Sequence, residues 1–224
     1  MVLPDQWLSR SMRNMKVLAG LLIAILHFGL LSGCGQQEPN RPGSSDASAK
    51  AEIMSHDLGP FFSEETAMYN RMRAAVGTNS ADSWTRMMIA HHEGGAAISR
   101  IALSANLPMQ EAQLVRRTLE EQEEAVDTLR RSLVDGIPSV DDALIFVDPI
   151  QSTHDETMAI FGSDVFEVWL RKMIGHHRGA IGMCDVLLRQ NGLDPETALL
   201  VRSLRAKQVS EMGVLEKALD QLGR

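Results

Sequence analysis

An eleven-residue phrase stands twice in this chain, as Trp84-Thr-Arg-Met-Met88-Ile-Ala-His91-His92-Glu-Gly94 and as Trp169-Leu-Arg-Lys-Met173-Ile-Gly-His176-His177-Arg-Gly179. Trp, Arg, Met, Ile, both His and the closing Gly recur at a spacing of 85. With roughly one chance in twenty of agreement at each position, so many matches in one register mean an internal duplication. The fold must therefore be one that two copies of a single unit complete together. Gly77 and Gly162 are also 85 apart, so the unit includes the stretch before the phrase.

The apolar periodicity is helical throughout. Phe166, Trp169, Met173, His176, Ala180, Met183 and Leu187 follow alternating steps of three and four, with Leu170, Ile174, His177, Ile181, Cys184 and Leu188 as the adjacent stripe. The first copy repeats this as Ala81, Trp84, Met88, His91, Gly95, Ile98 and Ala102 beside Thr85, Ile89, His92, Ala96, Ser99 and Leu103. Each phrase thus sets its two histidines on neighbouring apolar stripes of one helix. Helices are expected from Ser63 to Gly77, from Asn79 or Ser80 to about Asn106, and from Pro108 to about Val134. A loop at Gly136 and Pro138 separates them from a short helix between Asp148 and Gly162, then helices over about 164–190 and 195–222. Leu114-Val115-Arg116 recurs as Leu200-Val201-Arg202 at a spacing of 86, so the second turn holds one extra residue, assigned to Gly192. Short turns make each long pair an antiparallel hairpin, and two hairpins make a four-helix bundle. The expected fold is all-α: two tandem hairpin repeats, about 62–134 and 148–222, each preceded by a short helix.

Residues ahead of the bundle carry targeting signals. Arg10, Arg13 and Lys16 precede an apolar run from Val17 to Leu31 that suits a signal peptide better than a membrane span. Leu31-Ser32-Gly33-Cys34 looks like a lipoprotein box, which implies cleavage after residue 33, lipid on Cys34 and an exported, membrane-anchored body. Residues 34–60, rich in Gly, Gln, Pro and Ser, read as a flexible linker to a domain at 61–224. The chain holds 22 basic and 29 acidic residues, and the leader takes three of the former and one of the latter. An acidic body without a basic stripe or zinc-finger spacing disfavours nucleic acid as a partner. Cys184 is the only cysteine besides Cys34, so no disulfide framework forms.

Imidazole beside thioether is a soft donor set, and a methionine-rich site with few carboxylates points to Cu(I) before zinc, iron or calcium. The candidate ligands are Met88, His91, His92, Met173, His176, His177, Met183 and Met212. Met183 lies seven residues beyond His176, about 10 Å along the axis, so it belongs to a different ligand shell or meets a methionine of another helix. Constant index sums across the hairpins set Gln208, Glu211 and Met212 beside Met173 and His176, and Gln122 and Val126 beside His91. The competing reading makes methionine core filler and each His a neutral packed group bonded to a residue such as Gln122 or Gln208. It expects every imidazole nitrogen to be paired. The metal reading expects electron pairs left free in the interior. A di-iron centre is disfavoured, because such bundles use Glu-x-x-His and here the position three before His91 and His176 is methionine. Cys184 on the His177 stripe is open to reading as a third soft ligand or a thiol nucleophile, and reads first as a small buried hydrophobe.

Met173, His176, His177, Gly179, Ala180 and Met183, followed by Gln208, Glu211 and Met212, resemble a bacterial family of tandem Met-x-x-His-His proteins, domain of unknown function 305. The resemblance spans about Phe62 to Leu222. It implies a ferritin-like bundle, and likeness to periplasmic copper- or silver-binding members implies a protein that sequesters or delivers Cu(I) or Ag(I) rather than an enzyme. A homo-oligomer or a metal-delivery partner is compatible with it. The first repeat departs from the pattern at Ile98, Ala125 and Val126, so a site there needs ligands from elsewhere, such as Met68, Met72 or His154. On sequence alone the second hairpin is expected to dominate binding.

Overall fold

The computed structural model describes residues 59–223, which are helical with no strand. The expected signal peptide, Cys34 and all of the linker before Gly59 lie outside the described residues. Among the described residues seven α-helices follow one another: α1 Phe62–Ala74, α2 Ser80–Leu103, α3 Met109–Arg130, α4 Val140–Ala143, α5 Val147–Met158, α6 Val165–Leu188 and α7 Pro195–Gln221. Among the described residues no helix is long and apolar enough to cross a membrane.

The starts and turns follow local chemistry. Asn79 and Asp164 accept from the backbone N–H of Asp82 and Glu167 at 3.0 Å, and Asp194 caps Thr197 at 2.9 Å with Pro195 in the first turn. Both hairpin turns need one left-handed residue. Asn106 (φ 60°) supplies it in the first and Gly192 (φ 79°) in the second. Gly192 stands 86 after Asn106, so the extra residue of the second turn lies before it rather than at it.

The expected loop after α3 is partly helical, as α4 and a 3-10 turn over Leu144–Phe146. Burial of Ala143 and Phe146 in the apolar core orders a stretch whose Gly and Pro signals argued for loop. The short helix after it ends at Met158, ahead of Gly162, and α2 and α3 stop at Leu103 and Arg130 rather than running on to the turns.

α2 packs along α3 and α6 along α7; the hairpins join through α2 and α6, while α1 lies on α2, α5 lies on α6, and these two short helices touch each other. The joining helices run antiparallel, because Trp84 at the start of α2 shares an apolar cluster with Leu187 at the end of α6, and Trp169 shares the other with Ala102. Residues 85 apart face their own counterparts at the centre. The rings of His91 and His176 stack with centroids 3.6 Å apart and 4° between planes, and those of Tyr69 and His154 stack at 4.0 Å. Self-pairing of equivalent residues marks a pseudo-two-fold axis, which threads both stacks. The phrase ends in Gly for a packing reason: a Cβ at Gly94 would sit 2.4 Å from Met68, and one at Gly179 would sit 2.4 Å from Thr153. Met68 and Thr153 are themselves 85 apart.

Symmetry breaks at a buried ion pair. Glu65, in the first turn of α1, is 1% exposed and receives Lys172 Nζ at 2.7 Å, and the same ammonium donates to the carbonyl oxygen of Thr157 at 2.7 Å. Burial pushes the Glu65 carboxyl up and Lys172 pulls it back. The residues 85 away, Ile150 and Met87, are both buried and apolar. Lys172→Ala strands a desolvated carboxylate, so it is expected to lower unfolding free energy in urea by about 3–5 kcal/mol, whereas Glu65→Ile with Lys172→Met, copying the other half, costs far less. A mild single variant would show that the pair is solvated.

Candidate metal centre

The stripe that carries His91 and His176 faces the other hairpin, and the stripe that carries His92 and His177 faces the hairpin's own second helix. All four rings are buried. His91 Nε2 donates to the carbonyl oxygen of His176 at 3.1 Å. Gln122 Oε1 accepts from two rings, His92 Nδ1 at 2.7 Å and His176 Nε2 at 3.3 Å, and so joins the hairpins. A carbonyl or amide oxygen only accepts, so these contacts fix the tautomers. The proton sits on His91 Nε2, His92 Nδ1 and His176 Nε2. The opposite nitrogens, His91 Nδ1, His92 Nε2 and His176 Nδ1, are buried without a hydrogen-bond partner in the protein.

Burial, first of all, holds these three rings neutral. It pulls His91 and His176 well below the ordinary imidazole range, with the neighbouring rings adding to the effect, and it lowers His92 to about 4. A neutral imidazole whose N–H is tied to an oxygen, with its lone pair left over, is how proteins orient a histidine toward a metal. It is also costly without one. An unpaired buried polar atom forfeits about 1–3 kcal/mol.

His177 differs from the other three. Its Nδ1 donates to the carbonyl oxygen of Met173 at 2.7 Å and its Nε2 lies 3.2 Å from Glu211 Oε2, which also accepts from Gln208 at 3.1 Å. Both nitrogens are spent, so His177 offers no lone pair. The hairpin arithmetic set Glu211 beside His176; the structure gives it to His177, because the His176 stripe turns to the other hairpin.

The methionines separate. Met88 and Met183 belong to the first apolar cluster, with Met68 and Met72, whereas Met173 and half-buried Met212 belong to the second. Met183 and His91 line one small cavity together. Cys184 is buried with its thiol pushed up to about 12 by desolvation, which leaves it an inert SH group. It occupies the position that Ser99 holds in the first repeat, where Ser99 Oγ accepts from Trp169 Nε1 at 3.2 Å. Among the described residues no three His, Cys, Asp or Glu side chains are grouped to share a cation. Sequence reasoning missed the Lys172 and Glu65 pair, although Lys172 in the place of Met87 was a visible difference between the two phrases.

The fold and these rings define a duplicated helical bundle with paired histidines at its axis. Residues 27–133 match the family model of a domain of unknown function (DUF305). The crystal structure of a DUF305 fragment from Deinococcus radiodurans is similar at 20% identity and a TM-score of 0.47, over 65% of this chain and 99% of that one. No curated protein matches the chain.

Two outcomes follow from the ring accounting. A histidine with a depressed folded pKa contributes stability that is complete above its unfolded value, near 6.5, and is lost as pH falls. Unfolding free energy is expected to drop from about pH 6.5 toward 4, at up to about 4 kcal/mol per pH unit if all three rings take part; a flat urea profile over that range would refute the neutral assignment. Gln122→Leu removes the shared acceptor of His92 and His176, and is expected to cost about 2–4 kcal/mol in the same assay at pH 7.

Proposed function

We propose that the protein binds a soft metal ion, Cu(I) or, in a challenged cell, Ag(I), for sequestration or delivery rather than turnover. We place it in the bacterial envelope, anchored through lipid on Cys34. The observation that carries this reading is the set of three buried, neutral imidazoles with every N–H spent on an oxygen and a nitrogen lone pair left unpaired. Packing alone does not call for it: a core that needed only volume would use aliphatic side chains and avoid the cost of desolvation. The donors fit the ion. Neutral imidazole and thioether suit a polarisable monovalent cation, and the scarcity of convergent carboxylates disfavours calcium, magnesium or a di-iron pair.

One observation favours the packed reading for part of the cluster. His177, with both nitrogens engaged by Met173 and Glu211, behaves as a structural group. The weight that the sequence put on the second hairpin therefore moves toward His91, His92 and His176.

The test is a Cu(I) titration of the chain under a competing chelator, beside variants of each pair. Wild type is expected to hold Cu(I) against the chelator, and His91→Gln is expected to weaken it by about tenfold or more, equal to about 1.4 kcal/mol. His177→Gln is expected to change affinity little. Wild-type protein that gives up all its Cu(I) to the chelator would leave a tethered helical scaffold in place of a metal binder.

A further inference from the structure

We propose that the segment joining the two repeats is a docking surface for a basic, apolar-faced segment of a partner protein. This goes beyond the metal reading and does not depend on it. Leu133, Val134, Ile137, Val140, Leu144 and Val147 are six of the eleven large apolar side chains that the described residues expose, and Ile137 is 90% exposed. All six fall between the end of α3 and the start of α5. Single exposed apolar residues scattered over a surface need no explanation, but a run of them in one place marks an interaction site.

Helical spacing sorts this segment into two apolar stripes. From Val140 the chain runs through α4 and the 3-10 turn into α5. Ala143, Phe146 and Ile150 point into the first apolar cluster. Val140, Leu144 and Val147 lie roughly a quarter-turn round the axis from them and stay exposed. The fold accounts for the first stripe: Phe146 stands 85 after Phe61, which is buried in the other cluster, so both repeats use that place for core. It does not account for the second. The segment is also held in place, since Ser139 N–H donates to the carbonyl oxygen of Gly77 at 2.7 Å and Arg86 Nη2 to that of Val134 at 2.7 Å. A partner therefore meets an ordered stripe, with little conformational entropy to lose on this side.

Charge selects the occupant. Asp141 and Asp148, one heptad apart, border the exposed stripe on its solvent side, and Asp135 and Asp142 stand near its start. All four are exposed, and among the described residues none has an ion-pair partner. No Lys or Arg stands between Arg131 and Arg171. Arg86, which reaches the segment at Val134, is already paired with Asp82 at 3.0 Å. An apolar stripe beside uncompensated carboxylates is complementary to a helix or strand that carries Lys or Arg next to its apolar residues. The same carboxylates argue against other occupants. Two-fold pairing of two copies would set this patch against itself, carboxylate facing carboxylate. An anionic lipid surface attracts Lys and Arg, and this stretch has neither.

The experiment uses the full chain labelled with 13C at Ile, Leu and Val methyl groups. It is titrated with a synthetic helix-forming peptide of leucine and lysine at helical spacing, with the same peptide carrying glutamate for every lysine, and with vesicles containing phosphatidylglycerol. The lysine peptide is expected to move the methyl signals of Ile137, Val140, Leu144 and Val147 while those of Val209 and Val214, exposed on α7, stay, and to bind more weakly as salt is added. The glutamate peptide and the vesicles are expected to move none of them. Ile137→Ser with Val140→Ser, and Asp141→Asn with Asp148→Asn, change exposed side chains only, and each pair is expected to weaken the lysine peptide by about tenfold or more. The signals of the unmodified chain decide the matter even where a variant fails to fold. Four unmoved signals with the lysine peptide, or equal binding of the glutamate peptide, overturn the proposal. Signals that move instead with protein concentration assign the surface to a second copy, and signals that move with vesicles assign it to a membrane; either result also overturns a basic partner.

Discussion

The contact on which the centre of this molecule depends is the stack of His91 on His176. Two imidazoles 3.6 Å apart cannot both be charged in a buried space, and desolvation already disfavours the cation of each. Both therefore stay neutral, and neutrality fixes the rest. Each ring has one proton to give, and gives it to an oxygen on the opposite hairpin: His91 to the backbone of His176, and His176 to Gln122. The two hairpins are thus held in register by hydrogen bonds as well as by the tryptophan-led apolar clusters on either side. The remaining lone pairs follow from the same count.

Duplication supplies a symmetric backbone, and substitution then makes the halves chemically different. Gly94 and Gly179 allow α1 and α5 to approach the long helices equally closely, but the side chains that fill those approaches are Met68 on one side and Thr153 on the other. Met87 and Ile150 form an apolar flank, while Lys172 and Glu65, at equivalent positions, form a buried ion pair. A buried pair of this kind adds little net stability over apolar residues of similar size. Its effect is to occupy one half with a fixed charge, while the other half keeps apolar and thioether side chains.

Helical class, duplication, hairpin pairing and the height of Gln122 beside the first histidine pair were all legible in the sequence, although Gln122 was set against His91 and bonds His92 instead. They depend on local quantities: the 3.6-residue period, the caps at Asn79, Asp164 and Asp194, and turn residues that break the period. The fold after α3 was less legible, because Phe146 and Ala143 are ordered by a cluster contributed from helices far away in the chain. The four histidines were legible as buried residues, but their hydrogen-bond partners were not. The phrase marked the histidines, but which nitrogen of which ring stays free depends on the oxygens that other helices bring.

The sequence by itself determined two copies of one helical unit, with neutral soft donors on the buried stripes. Periodicity and repetition are properties of the chain alone, so no partner was needed to read them. Only the tertiary structure decided that His177 is spent on Met173 and Glu211, that Met183 meets Met68 and Met72 instead of His176, and that Lys172 fills the matching place. His177 finds Glu211 within its own hairpin, 34 residues on, whereas Lys172 meets Glu65 across 107 residues and Met183 lies beside methionines of the other repeat. Spacing along one helix carries no information about which neighbour another helix brings to each face.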